Sequence, residues 1–255
     1  MKLSLDELRK LQQKKYREEF GAFLAEGEHL VLELQRAAVH HAPLRSSQLY
    51  VTPAYADWDS PLPKVVLSEK QMRTICDTHT PQGIVALVPR AAVLQDWARP
   101  RPGERCIYLH EIQDPGNLGS ILRTLAWFGG FRCLLGPNSV DPFNPKTVRA
   151  SMGALFHVPL EQDVPLDALP RNHAALACLD MQGEPLTSAA YQASTCLVFG
   201  NEARGLPREQ LQALGARAFR IPGSGAIESL NLAAAVQICA YELRRGVTAV
   251  GSVSD

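Results

Sequence analysis

The sequence predicts an α/β protein in two parts. A small α/β domain spans 1–97, and a larger domain spans 98–255, built on a parallel sheet covered by helices on both faces. Three observations lead there. From Arg105 onward, short and nearly continuous apolar runs alternate with helical patterns, as expected of strands buried on both faces. The first ninety or so residues instead mix short strands with helices. Between the two, "RAAVLQDWARPRPGER" is rich in Arg and Pro and reads as a linker, which puts the boundary near 98.

In the first part, "SLDELRKLQQKKYREEFG" opens with Ser4 and Glu7 in capping-box spacing, and Leu5, Leu8 and Leu11 give a partial apolar stripe. "FLAEGEHLVLELQRAA" reads as a short apolar segment, a break at Gly27 and a helix. "QLYVT", "KVVLS" and "GIVALVPR" read as strands, with a helix in "SEKQMRTIC". In the second part, "RCIYLHEI", "FRCLLGP", "HAALACLD", "STCLVFG" and "AFRIP" read as strands. "NLGSILRTLAWFG", "NPKTVRASMGAL", "PREQLQAL" and "SLNLAAAVQICAYELRR" read as helices between and after them. Ligands of such sheets bind outside the carboxyl ends of the strands, so the chemistry belongs in the turns after "LHEI", "LVFG" and "RIPG".

Hydrophobic residues make up 46% of the 255 residues and charged residues 20%, enough for a globular core. The formal net charge is zero, so the chain as a whole is not a basic nucleic-acid binder. A local basic run, including Arg9, Lys10, Lys14, Lys15 and Arg17, stands near the amino end; by itself it reads as a solvated helix face. The six cysteines form no CxxC pair and mostly lie in apolar runs, which fits buried free thiols in a reducing compartment. No zinc-ligand spacing is visible along the chain, and no metal is expected. No stretch approaches the roughly 18 apolar residues of a membrane span, and the amino end lacks a signal-peptide pattern. The expected compartment is the cytoplasm.

"IPGSGAIESLNLAAAV" looks at first like a dinucleotide-binding turn. Gly223 and Gly225 supply G-x-G, but Glu228 stands at the third glycine position. Only a helix and a tail follow, leaving no second strand to carry the acidic ribose-binding residue. No P-loop, G-x-S-x-G elbow or HExxH occurs. Three polar turns remain. The first, "HEIQDPGNLGSILRTLAWFGG", carries Asn117 as a helix cap, with Asn117, Gly119 and Arg123 near one helix face. The second, "LVFGNEARGLP", sets Asn201, Glu202 and Arg204 between two glycines, where Gly200 would let a ligand approach the backbone. The third puts Ser229 and Asn231 at a helix start. Each taken alone also suits an ordinary cap or turn.

Together and in this order the three turns resemble the SpoU/TrmH class of RNA 2′-O-ribose methyltransferases, in the SPOUT superfamily. "NLGSILR" matches the first family motif at Asn117, Gly119 and Arg123. "FGNEARGLP" matches the second at Gly200, Glu202 and Gly205. Ile221, Pro222, Ser229, Leu230 and Asn231 match the third, and "NPKTVRASMGALFHVP" looks like the connecting helix. The match covers roughly 105–245. One departure is Gly223, where the family commonly has Met. "KLQQKKYREEFGAFLAEGEHLVLEL" resembles the RNA-binding domain often fused to these enzymes, related to ribosomal proteins.

The resemblance implies a trefoil knot in the second domain, a homodimer, and S-adenosyl-L-methionine as cofactor. It also implies methyl transfer to a ribose 2′-OH of RNA, with large-subunit ribosomal RNA favoured over tRNA. A non-catalytic RNA-binding protein of the same fold is the other alternative. Arg123 is then the leading catalytic residue. Asn117, Glu202, Ser229 and Asn231 organise the site, Gly200, Ile221 and Leu230 line the cofactor pocket, and Lys14, Lys15 and Arg17 contact RNA phosphates.

Overall fold

The computed structural model describes residues 3–94, 103–171, 173–227 and 229–245. The predicted boundary near 98 falls outside them.

The amino-terminal part contains a four-stranded sheet of β1 (Ala22–Glu26), β2 (Gln48–Val51), β3 (Lys64–Val66) and β4 (Ile84–Pro89), in the order β1-β4-β2-β3. Its helices are α1 (Leu5–Lys10), α2 (Lys14–Glu19), α3 (Glu28–His40), α4 (Glu69–Ile75) and α5 (Arg90–Val93). Ser4 and Glu7 form the expected capping box on α1. The apolar segment before Gly27 is β1, paired antiparallel with β4. Gly27 takes φ 101°, a conformation suited to glycine, where the strand turns into α3.

The second sheet has six strands, all parallel: β5 (Arg105–Leu109), β6 (Phe131–Leu135), β7 (Leu160–Glu161), β8 (Leu176–Pro185), β9 (Cys196–Phe199) and β10 (Arg217–Arg220). The helices are α6 (Pro115–Phe128), α7 (Pro145–Ser151), α8 (Ala189–Gln192), α9 (Arg208–Ala213) and α10 (Leu232–Arg244). Alternate strand residues feed two cores. Ile107, Leu109, Leu135, Leu197 and Phe199 face α6 and α10, while Tyr108, Leu134 and Val198 face Leu166, Leu169 and Leu211. The expected two-sided burial is therefore observed.

The strand order is β10-β8-β9-β5-β6-β7. The chain leaves β5 toward β6 and leaves β9 toward β10, on the opposite side. The crevice beyond the carboxyl ends of β5 and β9 is thus the topological switch point, where sheets of this kind bind ligands.

α6 and α7 cross closely. A side chain at Gly119 would meet Ala150 Cβ at 2.4 Å and the Ala150 backbone at 2.8 Å, so only glycine permits this approach. This corrects the shared face read for Asn117, Gly119 and Arg123. Two residues along a helix turn about 200°, so Gly119 faces α7 while Asn117 points elsewhere. The helix is capped by Asp114, whose carboxylate accepts from Asn117 N–H at 2.7 Å; Asn117 lies inside the first turn.

The two sheets share one continuous core. Phe23 of β1 packs on Phe143 with ring centroids 4.6 Å apart, and Arg149 of α7 pairs with Asp77 at 2.7 Å. Arg17 sits at this junction and is corrected here as an RNA contact. Its side chain is buried (2% exposed), with Nε and Nη2 each 2.8 Å from Asp141 Oδ2. Nη1 donates to the carbonyls of Leu11 and Gln12. α2 presents Lys14 and Lys15 outward and turns Arg17 inward, as their spacing on a helix requires.

Candidate active site

The site gathers three segments at the switch point: 110–117, running from β5 into the first turn of α6, the loop 200–206 after β9, and the loop 221–231 after β10. Each is shaped by local sequence. In the second loop, Asn201 N–H donates to Gly205 C=O at 3.0 Å and Gly205 N–H returns to Asn201 C=O at 2.8 Å. Gly200 makes that closure possible, because a Cβ there would lie 2.4 Å from the Gly205 backbone. The space over Gly200 is thus filled by the loop itself and not by an approaching ligand. Gly205, at φ 70°, completes the reversal.

Asn201 ties this loop to the first. It is buried, its Nδ2 donates to Glu111 C=O at 2.8 Å, and its Oδ1 accepts from the N–H groups of Ala203 and Arg204. Arg204 adds an ion pair to Glu111. Sequence reading placed Asn201 in the charged turn without assigning it this task; a buried polar residue between glycines was the available signal.

Glu202 is the hub. Its carboxylate accepts from Gln113 N–H at 3.2 Å, Asp114 N–H at 3.3 Å and Asn117 Nδ2 at 3.3 Å. A carboxylate only accepts, so Asn117 must turn its amide nitrogen to Glu202. That leaves Asn117 Oδ1 to accept from Asn231 Nδ2 at 3.0 Å. Asn231 in turn has only Oδ1 left to cap α10, accepting from Ala234 N–H at 3.2 Å. Three residues, one from each loop, form a relay whose amide orientations are all fixed.

The other predicted residues lie around this relay. Ile221 is half-buried against the core, whereas Ser229 and Leu230 are exposed beside Asn231. Asn231, not Ser229, is the residue that caps the helix. A Cβ at Gly223 would meet nothing within 4 Å, so the Met expected from the resemblance would have room for its first side-chain atom here. Arg123 is exposed on α6 and makes no hydrogen bond or ion pair among the described residues. The fold brings Asn117, Glu202 and Asn231 together directly. It leaves Arg123 about nine ångström along the helix from Asn117, at a 1.5 Å rise per residue.

A doubly covered parallel sheet with a polar relay at its switch point defines an α/β enzyme whose loops, not its core, carry the chemistry. Residues 104–241 match the model of the SpoU rRNA methylase family, and residues 4–86 match an MRM3-like substrate binding domain. The chain belongs to the SpoU rRNA methylase family. It is 32% identical over 252 residues to an uncharacterised tRNA/rRNA methyltransferase of Synechocystis, covering 94% of this chain and 89% of the relative. It is 31% identical over 241 residues to the 23S rRNA (guanosine(2553)-2′-O)-methyltransferase RlmP of Bacillus subtilis, covering 92% and 94%. The AdoMet-bound rRNA methyltransferase of Sinorhizobium meliloti superposes with a TM-score of 0.80 at 28% identity, over 96% of this chain and 95% of that one.

Proposed function

We propose that this protein transfers a methyl group from S-adenosyl-L-methionine to a ribose 2′-OH of large-subunit ribosomal RNA. The relay of Glu202, Asn117 and Asn231 is the observation that carries the reading, because it joins all three family motifs at the switch point. Ribosomal RNA is favoured over tRNA by RlmP, which aligns along nearly the whole chain, and by the substrate-binding module ahead of the catalytic part.

The residues fit the cofactor. Half-buried Ile221 and exposed Leu230 offer apolar side chains suited to an adenosine, and the loop of Gly200 offers backbone groups. When bound, S-adenosyl-L-methionine supplies a sulfonium-activated methyl group, a leaving-group chemistry that needs no metal. Arg123 acts on the other reactant. A guanidinium is a poor base, so the task of Arg123 is to clamp the adjacent phosphate and hold the 2′-OH in line for attack. Such orientation contributes about 7–11 kcal/mol to lowering a barrier. Glu202, Asn117 and Asn231 keep the loops fixed, and Ser229 stands at the lip to contact the ribose. Calorimetry tests the cofactor assignment: one S-adenosyl-L-methionine should bind per chain, and absence of binding would leave an RNA-binding protein of the same fold.

Lys14 and Lys15 are the RNA contacts in this reading. Both are exposed, and Lys14 has only a weak partner, Glu18 at 3.7 Å. Substituting both by Ala should weaken RNA binding and lower the log–log salt slope by about 0.7–0.9 for each lost contact. Filter binding across a salt series measures this, and an unchanged slope would remove them from the interface.

The same proposal includes a homodimer. α6 and α10 lie side by side, and Trp127 (85% exposed), Ile238 and Tyr241 leave an apolar surface on that pair. A second copy of the chain would cover these residues. Arg123 lies about one helical turn from Trp127 on α6. We further assign a trefoil knot to the catalytic part, a ribosomal-protein-like lineage to the amino-terminal part, and the division between them to 97/98. The site of action is the cytoplasm, consistent with the lack of any helix among the described residues long and apolar enough to cross a membrane.

A further inference from the structure

At the opposite end of the sheet from the relay lies a second cluster of chemically active side chains. Cys106 is the second residue of β5 and Cys196 the first of β9, and the two are partners in the parallel ladder. Residues in register point to the same face, so both thiols enter the same core. His173 reaches them from the loop before β8. The two sulfurs and a ring nitrogen all lie within 4.8 Å of one another. Both cysteines are fully buried and His173 is 3% exposed.

We propose that Cys106, Cys196 and His173 form a structural zinc site. Buried thiols alone would be ordinary core residues. The imidazole adds a third donor of a different kind: His173 brings a ring nitrogen to the two sulfurs and borders a polar cavity. A sulfur–sulfur–nitrogen donor set suits Zn²⁺. Tetrahedral coordination with zinc–sulfur bonds of about 2.3 Å sets ligand atoms roughly 3.5–3.8 Å apart, a contraction that side-chain rotation can supply.

Charge also fits. On binding, the metal displaces both thiol protons to solvent, and two thiolates neutralise one divalent ion. Arg132 follows Cys106 in the same row across β6, but it is already paired with buried Glu104 at 3.2 Å. His173 also lines a polar cavity of about 240 Å³, together with Arg132, Glu161 and Asp163. The cavity meets the cluster at His173, the side from which an ion and a water as fourth ligand would enter. The amino-end location, away from the switch point, makes the ion a fastener of β5, β9 and the loop before β8, with no part in methyl transfer.

Metal content and cobalt substitution of the full chain, purified reduced and without chelator, test this. The expected result is one zinc per chain. Its Co²⁺ form should show thiolate-to-cobalt charge-transfer bands and the strong visible absorption of a tetrahedral ion. Both should vanish in the Cys106→Ser/Cys196→Ser variant, and the bands should shift in His173→Gln. Zinc retained at full stoichiometry by the double serine variant would overturn the assignment. If the variants do not fold, the wild-type chain decides: metal-free protein that fails to take up Co²⁺ with thiolate bands also overturns it.

Discussion

Replacing Arg123 by Ala is expected to reduce methyl transfer by at least about 10²–10³-fold, the scale on which loss of one transition-state donor acts, while leaving the fold intact. The two halves of that expectation have separate causes. Arg123 is exposed and has no partner among the described residues, so no internal contact is lost with it. Its cost falls on the reaction, where a charged planar fork facing a phosphate cannot be replaced by a small apolar side chain. Arg123→Lys keeps the charge but not the bidentate geometry, and should recover only part of the rate. Single-turnover transfer of labelled methyl, with circular dichroism alongside, measures both. Normal turnover by Arg123→Ala would sink the assignment, and an unfolded variant would contradict the reading of its surroundings.

The second large effect is on stability. Arg17→Ala should cost about 3–5 kcal/mol, because Asp141 would be left buried without its partner. Asp141 also accepts from Phe143 N–H at 3.0 Å and so shapes the approach to α7. α7 in turn backs α6 at Gly119, so this pair links the amino-terminal part to the helix carrying Asn117 and Arg123. Replacing both residues together with apolar ones of similar size should recover much of the loss. Urea unfolding measures the three variants. If Arg17→Ala unfolds at the wild-type midpoint, the junction does not depend on this pair.

The strands of the second sheet were legible because burial on both faces makes each one a nearly continuous apolar run. β7 was not: two residues carry no periodicity. The three active-site loops were legible as polar clusters after buried strands, and Asn117, Glu202 and Asn231 do meet there. What the sequence hid was direction. Arg17 stands among lysines as a like charge, but its position on α2 turns it toward Asp141, 124 residues away. Gly200 signals a close approach without saying that the approaching backbone is its own loop. Cys106, His173 and Cys196 show no motif spacing, because ladder register and loop packing bring them together.

Ribose methylation of ribosomal RNA is read out by mapping 2′-O-methyl groups in cellular RNA. Cells with the protein, cells without it, and cells carrying Arg123→Ala should be compared. A site in large-subunit ribosomal RNA should be methylated only with the intact protein. Identical ribose-methylation maps in all three would contradict it, and a lost site confined to tRNA would refute the proposed substrate.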